Sequence, residues 1–250
     1  MSVEDGFSVV IPVYNEADAI AELLTEIFVK LDSCKVFEVV VVDDGSDDST
    51  PQVLLHAQHQ YGTRLRIIRH QQRSGQSAAL RTAVSAAHHK WIVMLDGDGQ
   101  NDPADVPNLL AARIEPGSGA ARLVCGHRRR RRDSWVKRLS SRVANHVRSR
   151  LLGDGVLDTG CGLKAFTRDA FLRLPWFDHM HRFLPALMHR DGVPVVSVDV
   201  NHRPRTRGTS KYGVGNRLWV GIVDMLGVLW LQRRGKRIVA NEVNESNPRS

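Results

Sequence analysis

The sequence predicts an α/β protein with a mostly parallel sheet flanked by helices, and three observations carry that prediction. Apolar runs alternate with helical patterns through the first half of the chain. The runs FSVVIPV, FEVVVVD and KWIVMLD are almost continuously apolar, which suits strands buried on both faces. Two of them end in acidic clusters, and open α/β sheets bind ligands beyond the carboxyl ends of their strands.

Along the chain, Phe7–Val13 reads as the first strand, and Asp18–Leu31 follows with helical spacing of its apolar residues. FEVVVVD gives a second strand, after which Ser46, Asp47 or Asp48 stands where a cap for the next helix, Thr50–Tyr61, is expected. LRIIR, the helical stretch Gln76–His88 and the strand KWIVMLD complete the βαβ rhythm. A further strand is expected at Arg122–Cys125, leading into GHRRRRRDSW and a basic helical segment from about Trp135 to Leu152. Next come the glycine-rich turn DTGCGLKAF, a helix around His181–Arg190, a strand at Val193–Val200 and the polar loop NHRPRTRGTSKYG. The last apolar helix covers Leu218–Leu231.

The 250 residues, 42% of them hydrophobic, suffice for one sizeable core and make two full domains a tight fit. No internal repeat or linker breaks the pattern. Residues 1–212 are therefore expected to form one domain, 213–236 an amphipathic helix that is interfacial or oligomeric, and 237–250 a disordered tail. Charged residues at 25% exclude wholesale disorder elsewhere, and 35 basic against 27 acidic residues give a net charge of +8. That balance favours phosphates, anionic lipid or nucleic acid without choosing among them. Cys34, Cys125 and Cys161 lack metal-type spacing and no secretory signal opens the chain, which points to the reducing cytosol. Leu218–Leu231 carries Asp224 and falls short of the roughly 20 apolar residues a spanning helix needs, so membrane contact would be peripheral.

In LDGDGQ, Asp96 and Asp98 are two residues apart and would project from one face of an extended strand end. Hard oxygen ligands at that spacing suit Mg²⁺ or Mn²⁺, which commonly bind one or two carboxylates together with substrate phosphates. Gly97 and Gly99 would clear space for a diphosphate, although an isolated DGD also reads as a solvated turn. Asp43 and Asp44 of VVDDGSDDST end the second strand, where a carboxylate can accept hydrogen bonds from a ribose or base, or simply form a polar turn. Cys161 reads as a small buried thiol, and His181 lies on an amphipathic helix with no zinc pattern around it.

Taken in order, IPVYNE, VVDDGSDDST, LDGDGQNDP, DTGCGLKAF and RTRGTSK resemble the family-2, GT-A-fold glycosyltransferases. Within that family they are most similar to the dolichyl-phosphate mannosyltransferase-like enzymes, which transfer a sugar to a polyprenyl phosphate, and the likeness runs from about Phe7 to Arg234. It implies that Pro12, Tyr14 and Glu16, with Asp43 or Asp44, hold the nucleoside of a GDP- or UDP-sugar. Asp96, Asp98 and Gln100 would hold Mg²⁺ or Mn²⁺ and the diphosphate, with Gly99 standing where relatives often carry a larger residue such as leucine. Arg128, Arg131, Arg205 and Lys211 match positions that bind the diphosphate and the acceptor phosphate, and Asp158 matches an acidic position near the transfer site. Asp98, Asp158 and Arg205 are the residues so placed nearest the chemistry.

A lipid phosphate is already an anion at neutral pH and needs positioning more than a general base, which suits the cationic second half of the chain. The expectation is an inverting transferase moving a hexose of mannose or glucose type to polyprenyl phosphate at the cytoplasmic membrane face. A membrane subunit or a second copy of the chain is a candidate partner. Transfer to a soluble hydroxyl acceptor is the alternative. A basic nucleic-acid module is a remote one, because it leaves both acidic clusters without a purpose and only 6% of the residues are aromatic.

Overall fold

The computed structural model describes residues 6–34, 37–128, 148–156, 158–201, 203 and 214–234. Among these, seven strands form one mixed sheet in the order β3-β2-β1-β4-β6-β5-β7. The strands are β1 (Phe7–Val13), β2 (Phe37–Asp43), β3 (Leu65–Arg69), β4 (Trp91–Met94), β5 (Leu123–Arg128), β6 (Lys164–Thr167) and β7 (Val195–Val200). β1 pairs in parallel with β2 and β4, as do β2 with β3 and β5 with β7, while β6 lies antiparallel between β4 and β5. The chain order turns back at β1, whose two neighbours are β2 and β4, and a ligand crevice is expected beside that point.

Every residue of β1 and β2 is buried, as their unbroken apolar runs require. Alternation then sorts the side chains. Phe7, Val9 and Ile11 face one core with Val39 and Val41, covered by α1 (Ala17–Lys30) and α2 (Thr50–Tyr61). Val10, Val40 and Val42 face the other, covered by α3 (Gln76–Ala86). In α1 the buried residues Ile20, Leu23, Leu24, Ile27 and Phe28 make a single stripe at helical spacing. Each such side chain taken out of water contributes about 1.5–3 kcal/mol before entropy is counted.

The remaining helices are α4 (Val106–Ala111), α5 (Arg168–Leu172), α6 (Leu184–Arg190) and α7 (Val214–Arg234). α7 rests on the body through buried Val228, a 2.8 Å bond from Gln232 Nε2 to the Leu152 carbonyl, and a 3.2 Å ion pair between Asp224 and His179. No helix among the described residues is long and apolar enough to cross a membrane.

Several expectations are corrected. DTGCGLKAF is not only a turn, since its last residues begin β6, whose four residues pair with strands remote in sequence. The third helix ends at Ala86, because Ala87 turns extended and the His88 N–H goes to Glu38 at 2.6 Å. β5 starts at Leu123 and continues to Arg128, and α7 runs beyond both predicted ends. Of the three cap candidates only Asp48 meets α2, its Oδ1 accepting from Thr50 N at 2.8 Å, while Ser46 Oγ accepts from Asn15 N at 2.9 Å and Asp47 N donates to Asn15 Oδ1 at 3.0 Å. Ser46 and Asp47 stitch the loop after β2 to the loop after β1. Of the helix expected over Trp135–Leu152, residues 148–152 are helical and 135–147 lie outside the described residues.

Candidate active site at the carboxyl ends of the strands

β4 delivers Asp96 directly into the crevice beside β1, with Leu95 N donating to the Val10 carbonyl at 3.1 Å. Asp96 Oδ1 accepts from Gln76 Nε2, the first residue of α3, at 3.0 Å. Gly162 is pressed against the same carboxylate so closely that a Cβ there would collide with it. Burial and the neighbouring charge of Asp98 push the Asp96 carboxyl up to about 6, against the pull of Lys164, Arg128 and the Gln76 hydrogen bond. Asp98 Oδ1 accepts from the Gln100 N–H at 3.1 Å, so the loop folds back on its own second carboxylate.

The glycines of this loop also meet demands of the backbone. A Cβ on Gly97 would lie 2.6 Å from Val13 Cγ1 and 3.3 Å from the Pro12 carbonyl, so Gly97 lets the loop lie flat on β1. Gly99 has open space around it and a φ of +71°, which places its requirement in the backbone turn. Pro12 thus contributes a floor for the loop through its main chain.

Asp43 and Asp44 part company. Asp44 Oδ1 accepts from Ser74 N at 2.9 Å and lies 2.8 Å from His70 Nδ1, while Oδ2 accepts from Gly75 N at 2.8 Å. Asp44 therefore anchors the segment that leads into α3. Asp43 Oδ1 accepts from Ser46 N at 2.9 Å, but its buried Oδ2 has only the Arg69 guanidinium, 3.3 Å away, and no hydrogen-bond partner among the described residues. An acceptor held only by that ion pair has room for a further donor. Nearby, the Arg73 guanidinium lies over the Tyr14 ring at 4.4 Å, and Glu16 opens α1 with its N–H on Thr50 Oγ1 at 3.0 Å.

On the other side of Asp96, Arg128 and Asp158 form a bidentate pair, with Nε–Oδ2 and Nη2–Oδ1 both 2.7 Å. Two residues expected to meet substrate thus also hold each other. Lys164, buried in β6, donates to the carbonyls of Thr159 and Cys161, fixing the turn that carries Asp158 and Gly162. The thiol of Cys161 is buried and pushed up by that burial, so it is an inert packing group. His181 is pushed down to about 3 by burial and lies 2.8 Å from Ser77 Oγ. Arg131, Arg205 and Lys211 lie outside the described residues.

Gln76 and Lys164 escaped the sequence reading. Gln76 carries no signal until the fold sets the start of α3 beside the end of β4. Lys164 did leave one: a lysine inside the short run LKAF, at a place where a strand would bury it.

The donor set fits a divalent cation. Asp96 and Asp98 are hard oxygen ligands, and the raised Asp96 carboxyl is a charge that a cation would relieve. No group of three His, Cys, Asp or Glu side chains among the described residues could hold a metal, so the other positions would fall to Gln100, water and phosphate oxygens, as suits Mg²⁺.

Residues 8–174 match the family described as Glycosyl transferase family 2. Undecaprenyl-phosphate 4-deoxy-4-formamido-L-arabinose transferase of Edwardsiella ictaluri is 33% identical over 208 residues, covering 83% of this chain and 63% of that protein. The chain therefore spans less than two thirds of that relative's length. Dodecaprenyl-phosphate galacturonate synthase of Rhizobium johnstonii is 32% identical over 234 residues, covering 90% of this chain and 67% of its own length. Among solved structures, glucosyl-3-phosphoglycerate synthase from Mycobacterium tuberculosis, crystallised with Mn²⁺, UDP and glucosyl-3-phosphoglycerate, matches with a TM-score of 0.67 at 21% identity, covering 92% of this chain and 80% of that one. That likeness extends the GT-A-like fold over almost the whole chain. With the family pattern running from β1 through α5, the chain belongs to glycosyl transferase family 2.

Proposed function

We propose that the chain is a metal-dependent inverting transferase that moves a hexose of mannose or glucose type from a GDP- or UDP-sugar to a polyprenyl phosphate at a membrane surface. The observation that carries this reading is the Asp96–Asp98 pair at the end of β4, one member of which has its carboxyl raised to about 6. Bound there, Mg²⁺ or Mn²⁺ would offset charge on the departing nucleoside diphosphate. Asp43 Oδ2 is the acceptor offered to a nucleoside N–H or O–H, in preference to the saturated Asp44. Tyr14, under Arg73, supplies a flat surface beside it. Asp98 holds the loop closed through the Gln100 N–H, and Asp158 keeps the Arg128 guanidinium facing the site.

An acceptor phosphate oxygen can then attack the anomeric carbon without a base, since it carries no proton to remove at neutral pH. Arg131, Arg205 and Lys211 remain the candidates for holding the acceptor and diphosphate. The reading takes residues 1–212 as the catalytic domain, 213–236 as the membrane-facing helix and 237–250 as a tail. Support for the membrane comes from Trp219, Val223, Leu226 and Trp230, exposed at 68%, 53%, 58% and 60% along one stripe of α7, with Arg233 and Arg234 in the last turn. A second copy or a membrane subunit would cover the same stripe. The relatives' polyprenyl-phosphate names support the acceptor class, although their sugars are a formamido-arabinose and a galacturonate. A nucleic-acid module is disfavoured because Arg128 and Arg148, which bracket the basic stretch, are turned inward onto Asp158 and Asp154 at 2.7 and 2.8 Å.

The test is a panel of GDP- and UDP-sugars offered with undecaprenyl phosphate, dolichyl phosphate or soluble acceptors, following nucleoside diphosphate release. Release that requires both a divalent cation and a lipid phosphate supports the proposal. Transfer confined to soluble hydroxyl acceptors contradicts it, and preference for a uronic acid or amino-pentose donor would correct the sugar alone.

A further inference from the structure

Arg203 stands two residues before the RTRGTSK stretch, and the sequence gives it no role. In the fold it joins three segments that are far apart in the chain. Its Nη1 reaches both carboxylate oxygens of Glu26 on α1, at 2.7 and 2.6 Å, and its Nη2 lies 2.8 Å from Asp102 Oδ1. Its main-chain N–H donates to the Gln100 carbonyl at 3.1 Å. Two residues earlier, Asn201 N donates to Asp105 Oδ2 at 2.7 Å. Asp102 also accepts from Ala104 N at 3.0 Å, shaping the 3-10 turn at Pro103–Asp105.

We propose that Arg203 is a positioning residue that clamps the returning limb of the LDGDGQND loop to α1 and to the chain leaving β7. Gln100 is held through both its backbone groups: its N–H by Asp98 Oδ1 and its carbonyl by the Arg203 N–H. The orientation of the Asp98 carboxylate is thereby one peptide away from the clamp. Guanidinium geometry matters, because one planar fork meets Glu26 and Asp102 together, and a lysine ammonium could not hold both in the same arrangement. Without the guanidinium, two carboxylates would face each other across the joint with their shared cation gone, and mutual repulsion would open it. Arg205 and Lys211 follow two and eight residues later in the sequence, outside the described residues.

The functional part of the proposal rests on reading Asp96 and Asp98 as the metal and diphosphate site, and the experiment separates the two. Full-length wild type, Arg203→Ala and Arg203→Lys are compared by amide hydrogen exchange, and by calorimetric titration with UDP and with GDP in the presence of Mn²⁺. The expected result is faster exchange across 98–102 in Arg203→Ala, with β1 and β2 unchanged. Nucleotide affinity should fall roughly tenfold, the lower end of what losing a supporting contact does to a metal site, with Arg203→Lys in between. Unchanged exchange across 98–102 overturns the clamp. Faster exchange with wild-type nucleotide affinity overturns its role in positioning the site. If wild type binds neither nucleotide, the donor-site reading fails, and the exchange arm still decides the clamp in either direction.

Discussion

The two ends of the same parallel strands carry buried acids of opposite character. At the amino ends, Glu38 of β2 accepts from Ser8 Oγ at 2.7 Å, Arg66 Nη1 at 2.9 Å and His88 N at 2.6 Å. Burial alone would raise its carboxyl, yet those hydrogen bonds together hold it below the ordinary range. At the carboxyl ends, Asp96 is pushed up to about 6, and the buried Oδ2 of Asp43 has only the Arg69 guanidinium at 3.3 Å and no hydrogen bond among the described residues. Both clusters sit on the same sheet. The first is complete within the protein and ties β1, β2, β3 and the end of α3 together. The second keeps unmet capacity, the property expected of the ligand site proposed there and not of a structural knot.

The contrast breaks most visibly at Asp98. Asp98→Asn should lower metal-dependent transfer by on the order of a hundredfold or more, the scale of losing one electrostatic contact to a developing charge. The melting temperature should stay near that of wild type, because the side chain is half-exposed on a loop. Activity comparable to wild type would remove the carboxyl-end cluster from the mechanism.

Asp43 and Asp44 sharpen the contrast inside that cluster. Asp43→Asn should weaken nucleotide binding roughly tenfold, through loss of a charged acceptor. Asp44→Asn should act chiefly on stability, because it disturbs three bonds to the segment before α3. Isothermal titration beside urea unfolding would separate the two, and equal effects on both quantities would refute the division of labour.

Glu38 supplies the smallest effect. Its folded carboxyl is depressed below the ordinary 4.5, so its contribution to stability is present above that value and is lost as pH falls through the depressed one. Glu38→Gln should therefore destabilise the protein by about 1–2 kcal/mol at pH 7, with the gap to wild type narrowing as pH falls below 4.5. Transfer per folded molecule should be unaffected. A gap that stays constant down to pH 3 in urea titrations would show that the Glu38 charge does not hold the knot.

Much of this organisation is written in the sequence where physics acts locally. β1, β2 and β3 have the predicted bounds because buried parallel strands need unbroken apolar runs. Asp96 and Asp98 were legible for the same reason, since a strand end followed by DGD announces its own position. β6 was not, because four residues with a lysine first resemble the tail of a turn until β4 and β5 flank them. The Arg128–Asp158 pair joins residues 30 apart, and the Arg203–Glu26 contact joins residues 177 apart. Neither spacing leaves a local pattern. The contact of Gly97 with Val13 is equally invisible in the sequence, because only the register of β1 against β4 creates it.

We propose that a divalent cation and a nucleoside diphosphate together complete the carboxyl-end cluster. Its most direct test is Mn²⁺ binding followed by electron paramagnetic resonance, with and without UDP or GDP, in wild type and Asp98→Asn. Wild type should bind Mn²⁺ tightly only when one of the nucleotides is present, and Asp98→Asn should lose that binding. Nucleotide-dependent Mn²⁺ binding of equal strength in both proteins would contradict it.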